Sequence, residues 1–192
     1  GLVPFATTLS GLGVRLISTG GTARALRDAA LEVVDVESIT KFPDRLRGRV
    51  KTLHPSIHAG LLADRRRDDD RSALQQMGVD GTDLVVLNLY PFEDVAVANW
   101  TPDDAAFEQV IEHVDIGGPA MIRAAAKNHA NLGVVIDPSQ YEAVGAEIRV
   151  SKGLSEATRR RLALTAFQRT AAYDAAIATW LEEHLATDTT EH

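Results

Sequence analysis

The stretch "DLVVLNLYPF", Asp83 to Phe92, decides the fold class. Its apolar centre is continuous rather than alternating, which suits a strand covered on both faces. "YPF" ends it. A doubly covered strand needs helices above and below, so its neighbours should alternate between the two kinds of element.

Working outward, that alternation is present. Towards the C-terminus, Asp103 to His113 reads as a helix, with Thr101 as N-cap and Pro102 at the first helical position. After "DIGGP" comes an alanine-rich helix, Ala120 to His129, and then a buried strand, Leu132 to Ile136. Asp137-Pro138-Ser139 opens a helix to about Val150, Arg159 to Leu185 reads as one long amphipathic helix, and "ATDTTEH" reads as frayed. Towards the N-terminus, "DRRRDDDR", Asp64 to Arg71, reads as an exposed loop entering a solvated helix that ends near Gly78. Leu61 to Ala63 is a brief strand, and the segment before it is polar and loop-like. Strands at Leu31–Val36 and Val14–Ile17 flank a helix at Ala23–Ala30, and Leu2 to Leu9 forms a further helix. The alternation predicts an α/β domain with a mostly parallel sheet and crossover helices. That domain spans residues 1–150, and residues 151–192 form a C-terminal helical extension.

The 192-residue chain is 45% hydrophobic and 24% charged, ordinary values for a globular domain. Its net charge of −7 argues against a broad nucleic-acid surface, so local basic clusters stand out as anion sites. There is no cysteine, which excludes disulfides and thiolate chemistry. No apolar run is long enough to span a membrane. Cytoplasmic residence is the expectation, together with a natural start upstream of Gly1.

Ligands of open α/β sheets bind beyond the carboxyl ends of the strands. Four stretches fall there. "STGGT", Ser18 to Thr22, joins a strand to a helix and offers backbone amides, hydroxyls and a helix N-terminus to a phosphate. It could equally be a plain turn capped by Thr22. "GRVKTLHPSIHAG", Gly48 to Gly60, holds Arg49, Val50, Lys51 and Thr52. In an extended segment Arg49 and Lys51 project to one side. His54 and His58 lack HEXXH and a completing carboxylate, so no metal is expected. "NLYPF" presents Asn88, Leu89 and Tyr90 at the end of the best strand. "DIGGPAMIRAAAKN" places Asp115, Ile116 and Gly117 before a helix start, with Lys127 near that helix's end. Helix capping alone would also account for Asp115, and the helix C-terminus for Lys127. Phosphate donors, two separated lysines, an aspartate, a tyrosine and glycine amides together suit proton transfer and oxyanion stabilisation, without a metal or redox cofactor.

"LISTGGTARALR", "GRVKTLHPSIHAGLL", "DLVVLNLYPFE", "DIGGPAMIRAAAKNH" and "AFQRTAAYDAAIATWL" together resemble the IMP cyclohydrolase domain of the bifunctional AICAR transformylase/IMP cyclohydrolase family. The blocks follow the family's order over nearly the whole chain. The resemblance implies a methylglyoxal-synthase-like three-layer fold, with a long C-terminal helix and a homodimer. It also implies a hydrolase that closes the formylated aminoimidazole-carboxamide ribonucleotide to IMP, the last step of de novo purine synthesis. By that resemblance Ser18, Thr19, Gly20, Gly21, Thr22, Arg49, Val50, Thr52, Asn88, Leu89, Ile116 and Gly117 hold the nucleotide. Lys51, Tyr90, Asp115 and Lys127 surround the closing ring. No cofactor, nucleic acid or membrane partner is implied. The family's first strand, with a Ser-Asp-Lys-Thr-Gly-Leu-like turn, and its C-terminal transformylase domain have no counterpart in the sequence. Weak activity is therefore expected of this chain. A regulatory nucleotide-binding module of the same fold, methylglyoxal synthase and a non-catalytic interaction domain are the alternatives.

Overall fold

A computed structural model describes residues 1–43, 45–90, 92, 94 and 104–185 of the chain. The first helix, α1 (Leu2–Gly11), leads into β1 (Leu16–Ser18), α2 (Gly20–Asp28) and β2 (Val33–Asp35). Then follow α3 (Val36–Thr40), a 3₁₀ turn at Leu46–Gly48, α4 (Pro55–Leu62) and α5 (Asp68–Met77). The second half runs β3 (Leu84–Val86), α6 (Asp104–Glu112), α7 (Gly117–Lys127), β4 (Gly133–Val135), a 3₁₀ turn at Pro138–Gln140, α8 (Tyr141–Ser151) and α9 (Glu156–Leu185).

The strands pair in parallel, as the alternation requires. β1 pairs with β2 from Leu16 opposite Val33 to Ser18 opposite Asp35, and β3 with β4 from Leu84 opposite Gly133 to Val86 opposite Val135. The two pairs are separate ladders rather than one sheet among the described residues. The β3–β4 ladder is the centre of the molecule. Val134 and Val135 are buried, and α7 and α9 pack beside them. Alanines make that packing close: Ala125, Ala126 and Ala166 are completely covered, so helix axes approach without large side chains between them. Phe92 and Trp180 meet edge to face at 5.9 Å and seal the far end of the core.

Several boundaries depart from the sequence reading. Leu61–Ala63 is not a strand. Leu61 and Leu62 close α4, which Pro55 opens in a first-turn position while His54 Nδ1 accepts the Ser56 N–H at 3.1 Å. The short helix α3 (Val36–Thr40) takes Val36 from the end of the expected strand and residues 37–40 from the expected loop. The segment around Arg49 is a run of turns, not an extended strand: Lys51 N–H donates to the Gly48 carbonyl and Leu53 N–H to that of Val50. Alternate projection therefore does not apply to Arg49 and Lys51. Thr19, not Thr22, is the residue before α2. α7 starts at Gly117 rather than Ala120 and ends at Lys127 rather than His129, with Pro119 in its third position. The expected Thr101–Pro102 cap and the frayed terminus lie outside the described residues. The charge run behaves as read, with three aspartates in the first turn of α5 and Gly78 at its left-handed end, φ 64°.

Candidate functional site

Two loops form a cleft beyond the carboxyl end of β3. One is the turn through Arg47–Thr52, and the other joins α6 to α7. Leu87 and Met121 line its floor, and it encloses about 390 Å³. That is within the roughly 300–1,000 Å³ of small-molecule sites.

The Arg47–Thr52 turn is built under strain. Leu46 and Arg47 both adopt left-handed φ, 51° and 55°, which side chains other than glycine's rarely take. The turn aims Lys51 at the start of α2. Lys51 Nζ stands 3.6 Å from the place a Cβ on Gly20 would occupy. Among the described residues Lys51 has no ion-pair partner. The Ser18–Thr22 turn, whose first α2 amides have no partner inside the helix, is thus joined to the cleft through Lys51.

The other wall begins at Asp115. Its Oδ1 accepts the Gly118 N–H at 2.9 Å, so the carboxylate caps α7. Gly117 and Gly118 are required by contact: a methyl group at Gly117 would overlap Thr52 Oγ1, and one at Gly118 would overlap Asp115 Oδ2. Leu89 packs under Gly118, its Cδ2 3.2 Å from that Cβ position. Ile116 stands out of the cleft wall, 61% exposed.

Arg49 is held by a residue that sequence reading missed. Glu112, in the last turn of α6, binds it in a fork: Nε to Oε1 at 2.9 Å and Nη2 to Oε2 at 2.6 Å. The Arg49 bonds keep the Glu112 carboxyl below its ordinary value, and the more distant charges of Arg47 and His113 add to the effect. Nothing in the chain order links the two residues, which are 63 positions apart.

The expected site residues divide. Lys51, Thr52, Arg49, Asp115, Ile116 and Gly117 line one cleft, with the Ser18–Thr22 turn against Lys51. Leu89 lies beneath it, while Tyr90 stands at the surface, 78% exposed, and does not line it. Lys127 is the clearest separation. It ends the helix that Gly117 begins, so about 15 Å of helix rise lies between them. Lys127 lines a different depression with Asp64, Arg66, His129, Glu156 and Arg160. There Arg66 is locked to Asp64 by two bonds, Nε–Oδ1 at 2.7 Å and Nη2–Oδ2 at 2.8 Å. Burial pushes the Tyr173 phenol above its ordinary value, and its oxygen accepts the Asp115 N–H at 2.8 Å.

Comparison with known proteins assigns the chain to a family. The MGS-like domain family matches residues 1–120, and the AICARFT/IMPCHase bienzyme family matches residues 125–192. The bifunctional purine biosynthesis protein PurH of Roseobacter denitrificans is 53% identical over 182 residues, covering 94% of this chain and 34% of that protein. PurH of Ruegeria pomeroyi is 52% identical over 187 residues, with 97% of this chain and 34% of the relative covered. The chain thus spans about a third of the length of the curated relatives it matches. The crystal structure of ForH superposes with a TM-score of 0.80 and 38% identity, covering 92% of this chain and 90% of that one.

Proposed function

We propose, from the premise that this chain belongs to the MGS-like domain family and corresponds to the N-terminal third of the AICARFT/IMPCHase bienzymes, that it is an IMP cyclohydrolase. The reaction closes 5-formamidoimidazole-4-carboxamide ribonucleotide to IMP. The carboxamide nitrogen bonds to the formyl carbon. The formyl oxygen becomes a hydroxyl and leaves as water, taking one proton from the attacking nitrogen and one from the former formamide nitrogen.

One observation carries this reading. Lys51 and Thr52 sit on a single turn, one reaching the start of α2 and the other packed on the start of α7. The N-terminus of α7 lines the cleft, and the Lys51 ammonium at its edge reaches the N-terminus of α2, an arrangement suited to a developing oxyanion and an adjoining phosphate. An amide nitrogen is a weak nucleophile, so holding the two arms of the substrate together supplies much of the rate. In this scheme the Ser18–Thr22 turn and Thr52 bind the sugar phosphate. Lys51 and the Ile116–Gly117 amides polarise the formyl oxygen, and Asp115 orients the carboxamide. Lys127 is out of reach within one chain, so a proton-carrying part for it needs a second copy, in keeping with a homodimer.

The test is to incubate the chain with the formylated ribonucleotide and follow IMP by absorbance. Turnover that falls at least a hundredfold in Lys51→Ala supports the scheme; wild-type protein that binds IMP and forms none refutes it. That second result belongs to a regulatory nucleotide-binding module. It is favoured by the placement of only two of the four reacting-centre residues, Lys51 and Asp115, in the cleft of a single chain.

A further inference from the structure

Two polar side chains of α9 lie behind the cleft, and neither touches it. Arg169 Nη2 donates to the Leu89 carbonyl at 2.6 Å. The Tyr173 hydroxyl accepts the Asp115 N–H at 2.8 Å. The two residues are four apart on one helix, so they share a face one turn from each other. Their targets are distant in sequence but lie on the two irregular segments that end β3 and begin α7.

Each target is a backbone group that regular structure leaves unpaired. The β3–β4 ladder stops with Leu87 N–H donating to the Val135 carbonyl. Leu89 lies two residues beyond, with its side chain buried, and its carbonyl needs a donor from elsewhere. At the other segment, the last amides of the α6 exit, His113 and Val114, donate back to Val110 and Ile111. The Asp115 amide follows and has no such partner. Its side chain is already spent on Gly118, so what orients the peptide before Asp115 is the Tyr173 oxygen. Tyr173 is 6% exposed and stacks edge to face on Phe92, which fixes where that oxygen stands.

We infer that Arg169 and Tyr173 are positioning residues for the cleft. Together they set the spacing and tilt of the Asn88–Leu89 segment relative to the Asp115–Gly117 turn, with α9 as the rigid ruler between them. The inference rests on the reaction proposed above for its kinetic consequence, and on geometry alone for its structural one. Tyr173 acts through Asp115 and the neighbouring amides, which meet the reacting atoms, so its loss falls on kcat. Arg169 acts through Leu89 and the nucleotide contacts beside it, so its loss falls on KM.

The experiment uses the full chain and two conservative pairs. Tyr173→Phe keeps the ring and removes only the oxygen. It is expected to lower kcat for the formylated ribonucleotide about tenfold to a hundredfold, with KM within about threefold, as for a buried amide left unpaired. Arg169→Met is expected to raise KM by at least about fivefold, and Arg169→Lys to recover most of that loss, because one charged donor still reaches the carbonyl. In parallel, hydrogen exchange of the Asp115 amide is expected to accelerate at least tenfold in Tyr173→Phe, while the Ile122–Ala126 amides keep their protection. Unchanged exchange at Asp115 overturns the inference. So does a loss of kcat no greater than in Val144→Ala, a variant weakened at a buried core position on α8, which contributes no residue to the cleft. If wild-type protein forms no IMP, the proposed reaction falls by itself, and the exchange measurement still decides for or against the clamp.

Discussion

Replacing Gly117 by alanine puts a methyl group where Thr52 Oγ1 already stands. Gly117 is not among the residues with left-handed φ, so the backbone itself accepts the change. Two terms then compete. Restricting the unfolded chain gains about 0.4–1 kcal/mol, while forcing an extra methyl into a filled space costs about 1–3 kcal/mol. The difference of those ranges runs from about 0 to 2.6 kcal/mol, and the single variant should lose about 1–2 kcal/mol, the middle of that span. In a chain of this size that lowers Tm by about 2–8 °C. In a Thr52→Ala background the nearest neighbour of the new methyl is the residue 52 Cβ at 3.8 Å, an ordinary contact. There the same substitution should be neutral or stabilising. Urea denaturation of the wild type, both single variants and the double variant gives the coupling, expected at about 1–3 kcal/mol. Effects that add to within about 0.5 kcal/mol would mean that the Arg49–Thr52 turn does not rest on the start of α7. The cleft described above would then lose one wall.

Glu112→Gln frees the Arg49 fork, and inorganic phosphate, titrated calorimetrically, should bind about twofold to fivefold tighter. The Glu112 carboxyl has a folded value below its ordinary 4.5, so its contribution to stability is complete above that value and is lost as pH falls towards the lower one. Wild-type stability should therefore decline more steeply than that of the variant through that acid window, and parallel declines would remove the Arg49–Glu112 pair as an energetic factor. For Lys127, Lys51→Ala and Lys127→Ala proteins should each be nearly inactive alone. Mixed after unfolding and refolding together, they should recover about a quarter of wild-type turnover, because half the dimers are mixed and each mixed dimer keeps one sound site. No recovery would place Lys127 in the site of its own chain, and near-normal turnover by Lys127→Ala alone would remove it from the reaction.

Local patterns were legible wherever backbone chemistry repeats over short distances. The apolar run at Asp83–Leu89 forms β3, although only Leu84–Val86 stays in the ladder. Asp137 and Gln140 make the capping box that opens the next helical segment, and Gly78 terminates α5. The parallel α/β class followed from strand–helix alternation alone. Within the site, the glycine pair Gly117–Gly118 marked the start of α7, where an added side chain would meet Thr52 or Asp115.

What sequence could not supply is long-range pairing. Arg49 with Glu112, Leu89 with Arg169 and Asp115 with Tyr173 are separated by 63, 80 and 58 positions. No local periodicity encodes such partners; they exist because α7 and α9 pack on one ladder and α6 joins the same core. The same physics explains Lys127. A helix carries its two ends about 1.5 Å apart per residue, so one motif that reads as a unit in sequence is divided between two surfaces in space. The sequence by itself determined which residues with suitable donors and charges stand near strand ends and helix starts. The tertiary structure decided which of them share a cleft, because only packing turns separation along the chain into distance.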